Sequence, residues 1–117
     1  MMDIQDIDKM PAGREMDGQV HALIFNKAVP TDHDWMHDTF CDCVPRYSTD
    51  IAAAWEVIDK LDELYSAWFE IRGPRVWLAQ CHLPGYKQFS ATGLANASLA
   101  INRAALKAMK GNERRQR

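Results

Sequence analysis

Apolar and polar positions follow a helical period in one part of the chain and a strand-like pattern in the next. From Thr49 to about Leu64, apolar residues recur every three or four positions with charged residues between them, which predicts an amphipathic helix. The segments 65–72 and 75–82 are rich in aromatic and β-branched residues, and Gly73-Pro74 between them is a turn signal. They predict an antiparallel hairpin, to which residues 86–93 are a candidate third strand.

Helical spacing also occurs near both ends of the sequence. A first helix is predicted to begin near Pro11, a residue that suits an early helical position, and to end before Pro30. A last helix is predicted to begin at Asn96, a favourable N-cap, and to stop at Gly111, a favourable C-terminal cap residue. The predicted buried stripe of this last helix contains Ile101, Ala104, Ala105, Ala108 and Met109. Its predicted basic stripe contains Arg103, Lys107 and Lys110.

The predicted order of elements is helix, helix, two or three antiparallel strands and helix, which is an α+β domain with helices covering a small sheet. A chain of 117 residues fits one domain over 1–117, with a frayed basic tail over 110–117. We expect Trp55 and Trp68 in its core. Four Trp and six Met residues exceed what one thin sheet hides, so we also expect a homo-oligomer built from dimers.

Charge and composition argue against several classes of protein. The formal net charge of −2 disfavours a protein that binds duplex nucleic acid, because such binding needs a large cationic face. The longest uncharged apolar run is far shorter than the roughly 20 residues of a membrane span, and the acidic start lacks the pattern of a signal peptide. The sequence therefore predicts a cytosolic protein without a membrane span. In that compartment we expect the three cysteines to be reduced thiols.

The segment 27–47 has no clean period and contains a candidate metal site. His33, His37, Cys41 and Cys43 follow one another at spacings of four, four and two residues. Imidazoles and thiolates are good zinc ligands, and one loop can wrap an ion with four of them. A Cys-x-Cys gap is less usual than a gap of two to four residues, so an unmetallated polar loop is the favoured interpretation and zinc is the alternative.

Motifs of catalysis are missing from the sequence. It contains no nucleophile elbow, Walker loop, glycine-rich dinucleotide fingerprint or zinc-protease helix. A serine, a histidine and an aspartate can be assembled on paper, but any chain with four histidines allows such triads by chance. We therefore expect a protein that is not an enzyme, with no catalytic residue and no cofactor.

The cluster "RYSTD" at residues 46–50 directly precedes the second predicted helix. Ser48 or Thr49 can cap that helix, and Asp50 suits the positive end of its dipole. The same unpaired backbone N–H groups, beside Arg46 and Tyr47, could instead receive a phosphate and stack a base or ribose. Both functions are compatible in one protein. Further candidates for phosphate contacts are Arg72, Arg75 and Arg103, and further candidates for stacking are Trp35, Trp77, Tyr86 and Phe89.

Four segments, taken together, resemble the small phage-encoded ABA-sandwich domain family. They are "MPAGREMD" at 10–17, "YSTDIAAAWEV" at 47–57, "WLAQC" at 77–81 and "LAINRAALKAM" at 99–109. The resemblance spans nearly the whole chain, and the second segment is its most specific motif. The insert at 27–45 departs from the pattern, so its His and Cys residues inherit no function from the family.

The family includes the Thoeris anti-defence proteins of phages, which act as sponges for the cyclic ADP-ribose signal of bacterial TIR enzymes and, in some cases, for cyclic oligonucleotides. The resemblance implies a non-enzymatic oligomer in the host bacterial cytoplasm that sequesters such a signal between subunits. It implies Arg103 as a ligand anchor. Proximity and chemistry add Asn102, Phe89 and Trp35 as candidate neighbours, and residues 46–50 are expected to cap a helix first and to line the pocket second. The alternatives are a zinc-binding phage accessory protein that contacts a host protein or nucleic acid, and a hydrolase of the signal.

Overall fold

The computed structural model describes residues 4–31, 34–37, 43–85, 88–93 and 96–115. Within these residues the chain forms helices and strands in the order α1 (Ile4–Lys9), α2 (Arg14–Leu23), α3 (Ile51–Tyr65), β1 (Trp68–Arg72), β2 (Trp77–His82), β3 (Gln88–Gly93) and α4 (Ala97–Arg115). The predicted α+β class, the hairpin and the third strand are confirmed. No helix in this part of the chain has the length and apolar character that a membrane span requires.

The three strands form an antiparallel sheet in the order β1-β2-β3. Ala79 in β2 lies opposite Ile71 on one side and Ala91 on the other. Because side chains alternate across a sheet, these residues share a face with Cys81, and the burial of Ala79, Ala91 and Cys81 marks it as the core face. On the opposite face Trp68 stacks on a histidine, His82, with ring centroids 3.7 Å apart.

Helix α4 is the central element of the fold. It packs against β2 and β3, and it also contacts α1, α2 and α3. Nearly every side of the helix is therefore covered, and its fully buried residues are Ala100, Ile101, Asn102, Ala104, Ala105 and Leu106. Its many alanines allow the neighbouring elements to approach the helix axis closely.

The N-terminal region contains one more helix than the sequence pattern predicts. The structure has a short α1 and begins α2 at Arg14, instead of one helix that begins near Pro11. Gly13 separates the two helices at a φ of 155°, a conformation that favours glycine. The six residues of α1 are too few to display a period, yet Ile7 is fully buried. Tertiary packing therefore stabilises a helix that the local sequence pattern does not predict.

The C-terminal end of α4 differs from the prediction for a physical reason. Gly111 lies inside the helix, which continues to Arg115, so part of the segment predicted as a frayed tail is helical. A Cβ atom at Gly111 would collide with the ring of Phe89. This glycine therefore makes room for an aromatic side chain from β3 and does not end the helix.

The buried face of α3 is its alanine-rich side. Ala53, Ala54, Val57 and Leu61 are buried, whereas Trp55 is 52% exposed. Small side chains on α3 match the small side chains of α4, so the two helices pack closely and the bulky residues of α3 turn away. The prediction of Trp55 as a core residue is therefore wrong, and so is that of Trp68, which is 53% exposed.

Candidate functional site

The structure divides the segment 46–50 into an inward and an outward half. The backbone N–H of Asp50 donates to the carbonyl of Arg46 at 2.9 Å, which closes a turn immediately before α3. Within this turn Tyr47 and Ser48 are buried, while Arg46, Thr49 and Asp50 are exposed. The two halves consequently belong to two different environments, a buried polar cluster and an open pocket.

Ser48 lies at the centre of the buried cluster. Its backbone N–H and its hydroxyl donate to the same oxygen, Asp17 Oδ1, at 2.8 and 2.7 Å, and its Oγ accepts from the N–H of Gly13 at 2.9 Å. The guanidinium of Arg14 donates to Asp17 Oδ2 at 2.9 Å and to the carbonyl of Val44 at 2.8 Å. These bonds fasten the start of α2 to the turn before α3.

Tyr47 extends the cluster on the opposite side. Its hydroxyl lies 3.0 Å from His21 Nδ1, and its ring stacks on Phe25 with centroids 5.0 Å apart. Its carbonyl accepts from Asn102 Nδ2 at 2.7 Å, and the same amide donates to the carbonyl of Ser98 at 2.7 Å. We call Asp17, Ser48, Tyr47 and Asn102 the polar clasp, because they join α2, the turn and α4.

Burial changes the titration of two groups at the clasp. It raises the pKa of Tyr47 to about 12, with smaller contributions from the carboxylates of Glu56 and Asp17. Burial also lowers the pKa of His21 below its ordinary value, and the positive charge of Lys27 lowers it further. Both shifts favour the neutral forms, so the phenol and the imidazole are uncharged at neutral pH.

The outward half of the turn borders a cavity of about 490 Å³. The cavity lies where α3 begins, β1 ends, β2 begins and α4 begins. We call it the apolar pocket, and its lining residues are Thr49, Ile51, Trp55, Ile71, Trp77, Asn96, Ala97, Ser98 and Ile101. Small-molecule pockets typically have volumes of roughly 300–1,000 Å³ and a mostly apolar lining with few polar groups. The cavity therefore has the size and surface of a ligand site.

Two helices begin at the wall of the apolar pocket. Asp50 caps α3 by accepting from the N–H of Ala52 at 3.1 Å, and Asn96 caps α4 by accepting from the N–H of Leu99 at 2.7 Å. Asn96 is thus confirmed as a cap, whereas the prediction of Ser48 or Thr49 as the cap of α3 is corrected to Asp50. The first turn of a helix carries partial positive charge, which attracts anions; the neutral Asn96 leaves that charge in place at α4, whereas the carboxylate of Asp50 offsets it at α3.

Two exposed cations flank the pocket in sequence. Arg46 precedes Thr49 by three residues, and Arg75 precedes Trp77 by two. Within the described ranges, no hydrogen bond or ion pair engages either guanidinium. Both side chains are exposed, and neither residue lines the cavity. The described side chains of the pocket wall carry hydroxyl, amide, indole and aliphatic groups, none of which ionises near neutral pH.

Arg103 is not a free surface cation. The side chain is half-buried, and its Nε and Nη2 donate to the carbonyl of Met10 at 3.2 and 2.8 Å while Nη1 donates to the carbonyl of Thr92 at 2.7 Å. One turn further along α4, Lys107 donates to the carbonyl of Ser90 at 2.8 Å and pairs with Asp8. The basic stripe thus connects β3 to the N-terminal segment. Ligand binding by Arg103 stays a prediction.

The other residues predicted for the site are dispersed. Trp35 is buried beneath the guanidinium of Arg14, 4.9 Å from its ring, and against Gly18. Asn102 belongs to the polar clasp, and Phe89 packs near Gly111. None of the three lines the apolar pocket, whereas Thr49 does. Their direct contact with a ligand stays a prediction.

The structure describes part of the candidate zinc loop. His33 and Cys41 lie outside the described residues, and His37 is exposed with its Nδ1 2.8 Å from Asp34 Oδ2. Among the residues that are described, no group of three His, Cys, Asp or Glu side chains could hold a metal ion. The unmetallated loop stays a prediction, with zinc binding as its alternative.

The cysteines depart from the expected redox state at one position. Cys81 is a free, buried thiol whose pKa burial raises to about 12. Cys43 is disulfide-bonded, so the expectation of reduced thiols is wrong for this residue. The expectation of reduced thiols comes from the predicted cytosolic compartment, which applies to all cysteines alike and does not distinguish one cysteine from another.

Comparison with known proteins identifies the family. The sequence profile of the Phage ABA sandwich domain matches residues 17–106, so the chain belongs to that family. Its fold is similar to the 2.0 Å crystal structure of a phage protein from Bacillus cereus ATCC 14579, with a TM-score of 0.61 and 22% sequence identity over 85% of this chain and 92% of that chain. No protein with a curated description matches the sequence.

Proposed function

Given its membership of the phage family, we propose that this protein sequesters a cyclic nucleotide immune signal without cleaving it. The ligand would be a cyclic ADP-ribose isomer or a cyclic oligonucleotide, and the protein would act as a Thoeris anti-defence sponge in the host bacterial cytoplasm. The resemblance in "YSTDIAAAWEV" supports this ligand class. The single structural observation that carries the proposal is the apolar pocket beside that motif.

The pocket suits the two chemically different halves of a nucleotide. Trp55 and Trp77 offer indole faces on which a purine stacks, a contact that contributes about 1–3 kcal/mol per base. The start of α4, capped by a neutral amide, favours the phosphate groups, and Arg46 and Arg75 supply full positive charges in the adjoining segments. Thr49 and Ser98 provide hydroxyls that can select the orientation of the ring.

The chemistry of the lining favours holding the ligand over hydrolysing it. Cleavage of a phosphodiester or glycosidic bond needs an acid, a base, a nucleophile activated by a base, or a metal ion. The described side chains around the cavity include no carboxylate, imidazole or thiol. An apolar lining with hydroxyl and amide groups supports binding of the ligand over its cleavage.

The proposed sponge is a homo-oligomer built from dimers. Its described surface exposes five large apolar side chains on α3 and the hairpin, each close to half exposed, and these are Ile51, Trp55, Leu64, Trp68 and Val76. Apolar surface that does not reach the core of one subunit is commonly covered at a subunit interface.

The decisive experiment separates capture from cleavage. The protein is incubated with cyclic ADP-ribose isomers, freed of unbound ligand and heat-denatured, and the released compounds are separated by chromatography. Release of the intact signal supports the proposal. Release of new products would identify a hydrolase, and release of nothing from any tested signal would refute the proposed ligand class.

Paired variants then locate the site. Trp55→Ala is expected to weaken binding by about 5- to 150-fold, which corresponds to the loss of one stacked base. Glu63→Ala is the matched control, because Glu63 is an exposed residue of the same helix that neither lines the pocket nor belongs to the exposed apolar surface. Equal affinities of the two variants would exclude the apolar pocket. Loss of binding in folded Arg103→Ala alone would place the ligand at the basic stripe of α4.

A further inference from the structure

The backbone groups at the two edges of the sheet differ in whether side chains bond to them. Ser90 and Thr92 are two residues apart on β3, so their carbonyl groups point to the same edge of the strand. Lys107 and Arg103 of α4 donate to these two carbonyls. Side chains therefore bond to these two carbonyl groups at the β3 edge, which blocks the addition of another strand there.

The β1 edge has no such cover in the described part of the chain. β1 pairs with β2 along one side, and no described group donates to or accepts from its backbone along the other. Strand β1 has the sequence WFEIR, with exposed Trp68 and Arg72 at its ends and half-buried residues between them. Unpaired backbone groups on a strand of this composition are a template for pairing with another strand.

We propose that β1 pairs antiparallel with β1 of a second copy, about a two-fold axis that passes beside Ile71, and so forms a continuous six-stranded sheet. This interface assigns a surface to the dimer of the proposed function. It involves no ligand, so the oligomeric state of the ligand-free protein tests it separately from signal capture.

Charge complementarity selects this register. A two-fold axis perpendicular to the sheet places residues of the same face directly opposite each other, so the axis passes beside a residue and not between two residues. With Ile71 on the axis, Glu70 lies opposite Arg72 of the second copy, and the reciprocal pair forms on the other side. With Glu70 on the axis, two carboxylates would face each other, which is destabilising. With Phe69 on the axis, Glu70 would face Trp68 and no charges would pair.

The side chains fit this pairing on both faces of the sheet. On the core face the half-buried Ile71 of each copy lies beside its counterpart, and because Ile71 also lines the apolar pocket, the two pockets adjoin across the two-fold axis. On the opposite face Glu70 already lies 3.7 Å from Arg72 of its own strand, so the two copies would form a cluster of two anions and two cations. The pairing ends at Gly73-Pro74, because proline has no backbone N–H to continue a ladder.

A charge-swap experiment tests the interface. Light scattering over a concentration series measures the dimer, with thermal melts as the control for folding. Glu70→Arg and Arg72→Glu are each expected to weaken the dimer by about 10- to 100-fold, because each places like charges opposite one another on both sides of the axis. The double variant Glu70→Arg/Arg72→Glu restores opposite charges and is expected to restore the dimer. An equimolar mixture of the two single variants is expected to form a heterodimer.

Several results would overturn the interface. A monomeric parent protein at micromolar concentration, single variants that dimerise as well as the parent, or a double variant that stays monomeric would each do so. Arg75→Glu is the matched control, since it makes the same charge change outside the paired residues 69–73 and is expected to leave the dimer unchanged. If Glu70→Arg fails to fold, because Glu70 also lies 3.7 Å from His82, Glu70→Gln replaces it and is expected to weaken the dimer by a smaller factor.

Discussion

The polar clasp and the apolar pocket begin at adjacent residues and have opposite physical properties. Ser48 is fully buried, and its hydroxyl and backbone N–H are bonded to Asp17. Thr49 is exposed and lines a cavity whose walls are largely apolar. Proteins stabilise themselves with satisfied buried polar groups, whereas ligands bind where apolar surface and unused polar groups remain accessible. One short motif therefore contributes to the stability of the fold and to the proposed binding site, and substitutions can separate the two.

The largest effect is expected at the carboxylate of the clasp. Asp17→Ala removes the acceptor of the Ser48 N–H and leaves the largely buried Arg14 guanidinium without its anion, so we expect a loss of about 3–5 kcal/mol in the free energy of unfolding. Denaturant titration measures it. Asp59→Ala, at an exposed site on α3, is the control and is expected to change stability by less than about 0.5 kcal/mol. Equal effects of the two variants would contradict the structural importance of the clasp.

Arg103 extends the comparison, because its guanidinium is already bonded to backbone carbonyls, as the groups of the clasp are. Arg103→Ala leaves the carbonyls of Met10 and Thr92 without their donors, and we expect a cost of about 1–3 kcal/mol in the free energy of unfolding. Arg46→Ala is the matched control, since that arginine is exposed. A stable Arg103→Ala variant would show that these hydrogen bonds contribute little and would return Arg103 to the set of available ligand anchors.

A pH titration examines the clasp without changing its volume. The pKa of His21 is lowered in the folded protein from an ordinary value of 6.5, so below that pH the unfolded chain binds a proton that the folded chain does not. Stability is therefore expected to fall as the pH decreases from 6.5 towards the folded pKa, and to become level below it. His21→Gln should flatten this part of the profile. An unchanged profile in the variant would assign the pH dependence to other groups.

The smallest effect on stability is expected at the rim of the pocket. Trp55 is half exposed, so Trp55→Ala should change the free energy of unfolding by less than about 1 kcal/mol. The same variant is expected to lose ligand affinity, which distinguishes it from Asp17→Ala. A large loss of stability would show that Trp55 is needed for packing and would make its binding result uninformative, in which case Thr49→Ala takes its place.

Elements with local signals could be predicted from the sequence. Gly73-Pro74 between two β-rich segments identifies the hairpin, and Asn96 identifies the start of α4, because turns and caps depend on residues that are close in the chain. The positions of Ile51 and Trp55 could not be predicted. Their period fits a helix, but the choice of the alanine face for the core depends on the close approach of α4, which is a tertiary effect.

The candidate site shows the same limit. Thr49 could be identified from its motif, since helix starts are sites for anions wherever they occur. Trp77 could be named only as one stacking candidate among several, because the pocket combines segments around residues 50, 71, 77 and 97 that are distant in sequence. Arg103 is the converse case. Its position on the predicted helix suggests that its guanidinium is available to a ligand. The fold shows that the guanidinium donates to two backbone carbonyls instead.

The central position of α4 has a consequence for the synthesis of the protein. Every other described element precedes α4 in the chain, and the buried faces of β2 and β3 contact α4 directly. On the ribosome, which adds about 5–20 residues each second, those faces stay exposed until α4 has emerged. Packing of the sheet therefore waits for α4, and a message truncated before α4 is expected to yield an aggregation-prone product.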